Sequence, residues 1–320
     1  MKLGCLTAMF SARSLRETLD ILRPLGLQAV ELGVGNYPGS AHVPVKDLLA
    51  SDAKCKEFRK VLEGEGLQIS ALSCHGNCLH PDKAFAERNI AVQTDAIKLA
   101  EKLRIKVVID FSGCPGSDET STKPNWVTCP WPPDYLDILN WQWEKKAIPY
   151  WTKRAKFAAD HGVKIAFEMH PGFVVYNTET MLKLRDACGK NLGANFDPSH
   201  LFWQGMEPIA CVRKLGKAIF HVHAKDSKVD LFNVAVNGVL DTKHYGDEIN
   251  RAWIFRTCGY GHGMEWWKDF VSTLRMVGYD GVLSIEHEDS LMSAMEGLKK
   301  AVEFFKQVLV FEKRGAITWA

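Results

Sequence analysis

Short runs of aliphatic and β-branched residues alternate with longer amphipathic stretches from one end of the chain to the other. Eight short runs read as strands: Leu3–Met9, Ala29–Gly33, Gln68–Cys74, Val107–Phe111, Lys164–Met169, Leu192–Phe196, Ala218–His223 and Val282–Glu286. Several are apolar nearly throughout, such as Val107-Val108-Ile109 and Ile165-Ala166-Phe167. That is the pattern of parallel strands buried on both faces. Between them, apolar residues recur at helical spacing: Leu15, Leu19, Leu22 and Leu25 early on, and Leu291, Met295, Leu298, Val302, Phe305 and Leu309 near the end. Gly26, Gly66, Gly162, Gly189 and Gly278 follow such stripes closely, where a left-handed residue ends a helix. Alternating elements imply βαβ units and a parallel sheet. Eight regular units favour closure into an α/β fold of the (β/α)8 barrel type over an open doubly wound sheet. With no linker-like stretch, residues 1–320 read as one domain.

Two segments exceed the ~2–6 residues usual for connections in such a fold. The first, about Ser112 to Leu136, follows strand 4 and is rich in Gly, Pro and Trp; the second, Lys225 to Gly263, follows strand 7. Both belong to the rim at the strands' C-terminal ends, where barrels place their chemistry. Each suits a lid or wall over a pocket, or else decoration and subunit contact.

Composition narrows the picture. A net charge of +2 gives no electrostatic footprint for nucleic acid or an anionic membrane. No apolar run approaches the ~20 residues of a membrane span. The N-terminus turns polar by Ser11, as a first strand and not a signal peptide would. The nine cysteines are scattered; only Cys74 and Cys78 stand close together, and reduced thiols in a cytoplasmic enzyme are the expectation.

The chemistry gathers at the ends of the last four strands. The apolar runs stop at Glu168, Asp197, His223 and Glu286. Glu168 and Asp197 are 29 positions apart, and Asp197 and His223 are 26. A barrel of ~250 residues in eight units averages about 31 per unit. The 63 positions from His223 to Glu286 match two units with the long insert. All four can therefore occupy equivalent places on one rim. One such residue alone is more often a helix cap; four on successive strands point to a metal. Three carboxylates and an imidazole suit one hard or borderline divalent cation, Mn²⁺, Mg²⁺ or Co²⁺, with Zn²⁺ less favoured. Without a cation, three packed anions would repel.

On Asp197-Pro198-Ser199-His200, His221-Val222-His223-Ala224-Lys225-Asp226 and Ser284-Ile285-Glu286-His287-Glu288, the chain resembles the xylose isomerase-like TIM barrel superfamily of sugar isomerases and epimerases over essentially its whole length. The resemblance implies that Glu168, Asp197, His223 and Glu286 are metal ligands, that Glu168 and Glu286 are a proton-transferring pair, and that His200 binds substrate. It implies a metal-dependent isomerase or epimerase of a sugar or polyol, abstracting a proton beside a metal-bound carbonyl through an enediolate. The same superfamily includes inosose dehydratases and endonuclease IV-type repair enzymes, and it resembles the large subunit of the C-glycoside deglycosidases, which cleave 3-oxo-glycosides with a metal and a nearby histidine. His170, two residues past Glu168, and Lys225-Asp226 where epimerases often carry Arg, are departures. They keep open a lyase or dehydratase acting on a 3-oxo-sugar or 3-oxo-glycoside, with His170 as base and a small second subunit as partner.

Lys225, His75 and Trp126 are further expected contacts to a small-molecule sugar, each with a plain alternative as a solvated, structural or packing residue. His221, two before His223, reads as a buried, hydrogen-bonded residue one layer deeper. His287 should point into the helix layer. The dense Trp and Tyr series from Trp126 to Trp151 suits sugar stacking or a homo-oligomer interface. A near-neutral charge disfavours the nucleic-acid repair alternative, and four intact ligands disfavour a non-catalytic sugar-binding protein.

Overall fold

The computed structural model of the protein describes residues 1–318. Eight parallel strands close a barrel: β1 (Lys2–Leu6), β2 (Ala29–Gly33), β3 (Gln68–Ser73), β4 (Val107–Asp110), β5 (Lys164–Glu168), β6 (Leu192–Phe196), β7 (Ile219–Ala224) and β10 (Val282–Ile285). Two further strands, β8 (Asp226–Val229) and β9 (Trp253–Arg256), form an antiparallel hairpin in the insert between β7 and β10. The (β/α)8 barrel expected from periodicity is the observed fold.

The sequence patterns act locally as physics requires. Ser14 caps the helix Leu15–Leu22 in a reciprocal capping box with Glu17, and Gly26 turns the chain out at φ 76°. Leu19 and Leu22 bury the helix's apolar stripe. The terminal helix Ala294–Val308 likewise buries Leu298, Val302 and Phe305. Burying side chains of this size is worth ~1.5–3 kcal/mol each, before entropy is counted. Inside the barrel the lower layer is small and apolar, with Ala71, Ile109 and Ala166. Above it His221 Nδ1 meets Asn195 Oδ1 at 3.0 Å and its Nε2 meets Ser70 Oγ at 3.2 Å, so the polar layer expected for His221 is satisfied within the barrel.

Strand boundaries differ from the sequence expectation in one systematic way. Strands expected to end at Met9, Cys74, Phe111, Met169 and Glu286 leave the ladder one to three residues earlier, at Leu6, Ser73, Asp110, Glu168 and Ile285. Apolar character continues past the last ladder bond because the rim residues are still buried. After β1 the chain coils into a tight turn, Thr7–Phe10, whose Thr7 Oγ1 lies 2.9 Å from buried His42 Nδ1. Register shifts occur at Val30/Glu31 and at Ala194/Asn195. Such irregularities re-aim side chains near active sites, and both of these precede a residue of the cluster described below.

The insert after β7 is more ordered than a loop reading suggested. Besides the hairpin it holds the helix Leu231–Asn237, capped by Asp230. The Asp-Ser-Lys-Val sequence of β8 has too little apolar alternation to announce a strand. The hairpin is anchored to the barrel by Trp203 stacked on Trp253 (ring centroids 4.7 Å apart, planes within 4°) and by Ser227 Oγ donating to Ser199 O at 2.8 Å. The insert after β4 is irregular until the helix Asp134–Trp141.

One glycine tests the barrel's closure. A Cβ at Gly193 in β6 would sit 2.3 Å from Ala218 O and 2.5 Å from the Phe220 ring. Gly193→Ala should cost about 1–3 kcal/mol of overpacking, read as a lower urea midpoint with an unchanged slope.

Candidate metal centre

The strand ends deliver four acidic or imidazole side chains to one buried spot on the C-terminal rim. Glu168 closes β5, Asp197 follows β6, His223 lies near the end of β7 and Glu286 follows β10. One donor atom from each of these four lies within 4.8 Å of the others. Glu168, Asp197 and His223 are essentially inaccessible, while the Glu286 side chain is 15% exposed and faces the cleft.

Each ligand candidate is held by its neighbours. Glu168 Oε1 accepts from His200 Nε2 at 2.9 Å, and its Oε2 accepts from His75 Nε2 at 3.0 Å. Asp197 Oδ1 accepts from Ser199 N at 2.8 Å. His223 Nε2 donates to Glu31, 3.0 Å from both carboxylate oxygens, and Ser73 Oγ also donates to Glu31. This leaves His223 Nδ1 turned towards the cluster, 3.1 Å from Glu168 Oε2 and 3.0 Å from Glu286 Oε2.

Two observations test whether the donors fit a cation. Asp197 Oδ2 and His223 Nδ1 are fully buried yet make no aligned hydrogen bond. Buried polar atoms are rarely left so, and both belong to the same cluster. Glu31 engages Nε2 and so turns Nδ1 inward, the orientation carboxylates give to metal-bound histidines. The charge balance agrees. Burial pushes the Asp197 carboxyl up, and nearby Glu168 and Glu286 add to this against His200 and Lys225. Burial alone would lower the His223 imidazole, but Glu31, Glu286 and Glu168 hold it well above 6.5. The cluster thus claims a positive charge, supplied by an extra proton or by a cation. Glu168, Asp197, His223 and Glu286 fit a divalent metal.

The surrounding residues expected from the sequence occupy the same rim. Lys225 Nζ lies 2.6 Å from Glu288 Oε2, 3.1 Å from Glu286 Oε2 and 3.6 Å from Asp197 Oδ2. Burial disfavours its charge, yet these acids raise it well above 10.5, so it is an ammonium. It also sits 4.4 Å from the centre of the Phe255 ring. His170 Nδ1 donates to Pro171 O at 2.5 Å, leaving Nε2 as acceptor. Burial first, and His200 second, push His170 down to about 3, so it is a neutral imidazole. A cleft of about 190 Å³ opens directly on the cluster, walled by His75, Glu168, His170, Lys225 and Glu286 with Phe111 above them. Trp126 stands apart: it packs edge-on against Tyr176 and lines neither this cleft nor the chamber beside it. His287 points into the helix layer, 3.3 Å from Met292 O, as expected.

Glu31 and Asn195 went unread in the sequence. Both carried a signal: each is a polar residue inside an apolar run on a strand buried on both faces. A buried carboxylate needs a partner. Phe111, which stacks on Phe173 at 4.3 Å and meets His170 at 5.0 Å, looked like an ordinary strand end.

The chain belongs to the xylose isomerase-like TIM barrel family, whose model matches residues 19–308. Uncharacterized protein YfiH of Bacillus subtilis (strain 168) is 42% identical over 313 residues, covering 97% of this chain and 99% of that one. Inosose dehydratase of Clostridium botulinum (strain Alaska E43 / Type E3) is 30% identical over 162 residues, about half of each chain (49% and 51%). Among solved structures, D-psicose 3-epimerase in the presence of D-fructose shares the fold with a TM-score of 0.62 at 15% identity, over 97% of this chain and 99% of that one. Among the described residues no helix is long and apolar enough to cross a membrane. All nine cysteines are free thiols, Cys74 and Cys78 both buried.

Two outcomes are expected of metal titrations. Because the metal-free His223 holds a proton that must leave before Nδ1 can bind, affinity should fall with falling pH and still be rising above pH 6.5. Calorimetry in buffers of different ionisation enthalpy should show about one proton released per cation. Asp197→Asn should abolish binding, and Glu31→Gln should weaken it by about 10–100-fold, the usual cost of losing a carboxylate behind a liganding histidine.

Proposed function

We propose that the protein is a divalent-metal-dependent isomerase or epimerase of a sugar or sugar-like polyol. The observation that carries this reading is the convergence of Glu168, Asp197, His223 and Glu286 on one buried point, with Asp197 Oδ2 and His223 Nδ1 left without aligned partners. A cation held by these four supplies a Lewis acid that polarises a substrate carbonyl, one of the several-kcal/mol effects open to such sites.

The protein's own groups do the rest. Glu168 and Glu286 are the proton-transferring pair: one removes the proton from the carbon beside the carbonyl, and the other returns one. Burial would raise the Glu168 carboxyl, but the His200, His223 and His75 imidazoles around it hold it well below the ordinary carboxylate range, so it is anionic. Lys225 and His223 do the same for Glu286, against burial, at about 2. The Lys225 ammonium faces the cleft, where it can donate to negative charge developing on a substrate oxygen. His200 and His75 fix Glu168 in place, and His75 also lines the cleft. Burial of the whole group keeps competing water away.

A second reading has one observation in its favour. His170 Nε2 has no protein hydrogen-bond partner among the described residues, faces the same cleft, and belongs to a neutral imidazole. With the inosose dehydratase similarity over half the chain, this supports elimination of water or another group from a keto-sugar, with His170 as base.

Exchange in deuterated water separates the two. The Mn²⁺-loaded protein would be incubated with ketoses, aldoses and inososes, and products followed by NMR. The expected result is deuterium at a carbon beside a carbonyl with an isomeric product. Exchange should be lost in Glu286→Gln and kept within about tenfold in His170→Ala. An unsaturated product, abolished by His170→Ala, would establish the lyase reading instead. No exchange with any carbonyl sugar would sink both.

A further inference from the structure

The helix Leu231–Asn237, in the insert after β7, is amphipathic with its faces reversed. Its polar side is held against the protein: Asn233 Nδ2 donates to Ile249 O and to Arg251 O, both at 2.9 Å, and Asp230 caps the first turn. Its apolar residues Leu231, Phe232 and Val236 point outward. With Leu240, two residues past the closing Gly238, and Ile249, which Asn233 brings alongside, they are between 66% and 88% exposed. A helix on the surface of a globular protein normally turns such residues to the core.

The extent and chemistry of this face say what covers it. Side chains of this kind offer on the order of 100 Å² of apolar area each, so the five present roughly 500 Å². That is towards the upper end of the largest patch on a typical monomer, about 300–600 Å². It also matches the apolar share of a standard dimer interface, about 65% of the ~800 Å² that each partner buries. Charge selects among occupants. From Val229 to Leu240 the one ionisable side chain is Asp230, and its carboxylate is turned back onto Asn233 N at 2.9 Å. A face without Lys or Arg has no attraction for an anionic lipid surface. An uncharged apolar face is complementary to itself, as two-fold pairing requires, and a net charge of +2 leaves two copies little to repel.

We infer that two copies of the chain pair through this face, Leu231, Phe232 and Val236 of one meeting the same residues of the other about a two-fold axis. The pairing bears on the site because the inner side of the helix supports the wall. Val234 packs on the cluster of Trp203, Trp253 and Phe255. Phe255 and Tyr245 face a chamber of about 440 Å³ beside the cleft, and the Phe255 ring centre lies 4.4 Å from the Lys225 ammonium. A second copy thus braces from outside the hairpin on which Lys225 rests. The inference is independent of which reaction the cleft performs.

Sedimentation equilibrium on the purified full chain, from the low-micromolar to the hundred-micromolar range, reads the association directly. A reversible self-associated species is expected. Phe232→Asp and Val236→Asp should each weaken it at least about thirtyfold, the cost of losing one central interface residue. Met276→Asp, at an exposed apolar position ending the helix Met264–Met276, should leave it unchanged. All three positions lie outside the core, and circular dichroism would verify that the variants are folded. A chain that stays monomeric over the whole range overturns the inference. So does association that neither Phe232→Asp nor Val236→Asp weakens more than Met276→Asp does. A monomer that instead co-sediments with phosphatidylglycerol vesicles, and ceases to in Phe232→Asp, overturns it in favour of a lipid surface.

Discussion

Everything at the rim depends on one electrostatic constraint: four carboxylates, Glu31, Glu168, Asp197 and Glu286, share a nearly water-free volume. Buried anions persist only when paired or coordinated. The protein answers with layers of imidazoles. His75 and His200 hold Glu168, and His223 stands between Glu31 on one side and Glu168 and Glu286 on the other. Among the described residues of the cluster, Asp197 Oδ2 and His223 Nδ1 are left without an aligned partner. Stability and function are therefore coupled here, because the arrangement that leaves those atoms unsatisfied is the one a cation completes. Anything that binds only the folded form in this way adds stability, about 2.7 kcal/mol at a hundred times its dissociation constant.

The barrel supplies this geometry cheaply. Parallel strands in register place successive C-terminal residues at one level, so Glu168, Asp197, His223 and Glu286 need only stand at equivalent strand ends to meet. The irregularities at Val30/Glu31 and Ala194/Asn195 bring in the supporting carboxylate and amide. The insert after β7 then adds what the barrel lacks, a firm side wall. Its hairpin packs on Trp203, shortly after the Asp197-Pro198-Ser199-His200 turn, so the wall and the residues of the buried cluster share one support. The insert after β4 contributes mainly at its root, through Phe111, and its tip packs instead beside the helices Lys83–Leu103 and Ile148–Asp160. Two loops that looked alike in the sequence thus serve different ends.

What could be read in advance divides along physical lines. Periodicity reports burial, and burial on both faces of a strand is a local property, so the strand cores and their order were legible. The same was true of Glu168, Asp197, His223 and Glu286, because a charged residue stopping an apolar run is visible to the eye. Strand ends were overextended for a related reason: Met169 and Cys74 are buried at the rim although their backbones have left the ladder. Glu31 was hidden because it stands mid-strand, where an isolated acid looks like an exception and not a partner. Trp126 was expected at the pocket from its residue type alone, and residue type says nothing of direction.

The sequence by itself determined the barrel, its single-domain extent over the described residues, and the four residue types at one rim. These follow from hydrophobic pattern and from spacing along the chain, which need no knowledge of what lies across the fold. Only the tertiary structure decided that Glu31, 192 positions from His223, orients its imidazole, that Lys225 bridges three acids, and that Tyr245 and Phe255 wall a second chamber beside the first. Those relations are between side chains brought together by closure of the sheet. Their energies depend on distance and burial, which have no counterpart in the order of residues along the chain.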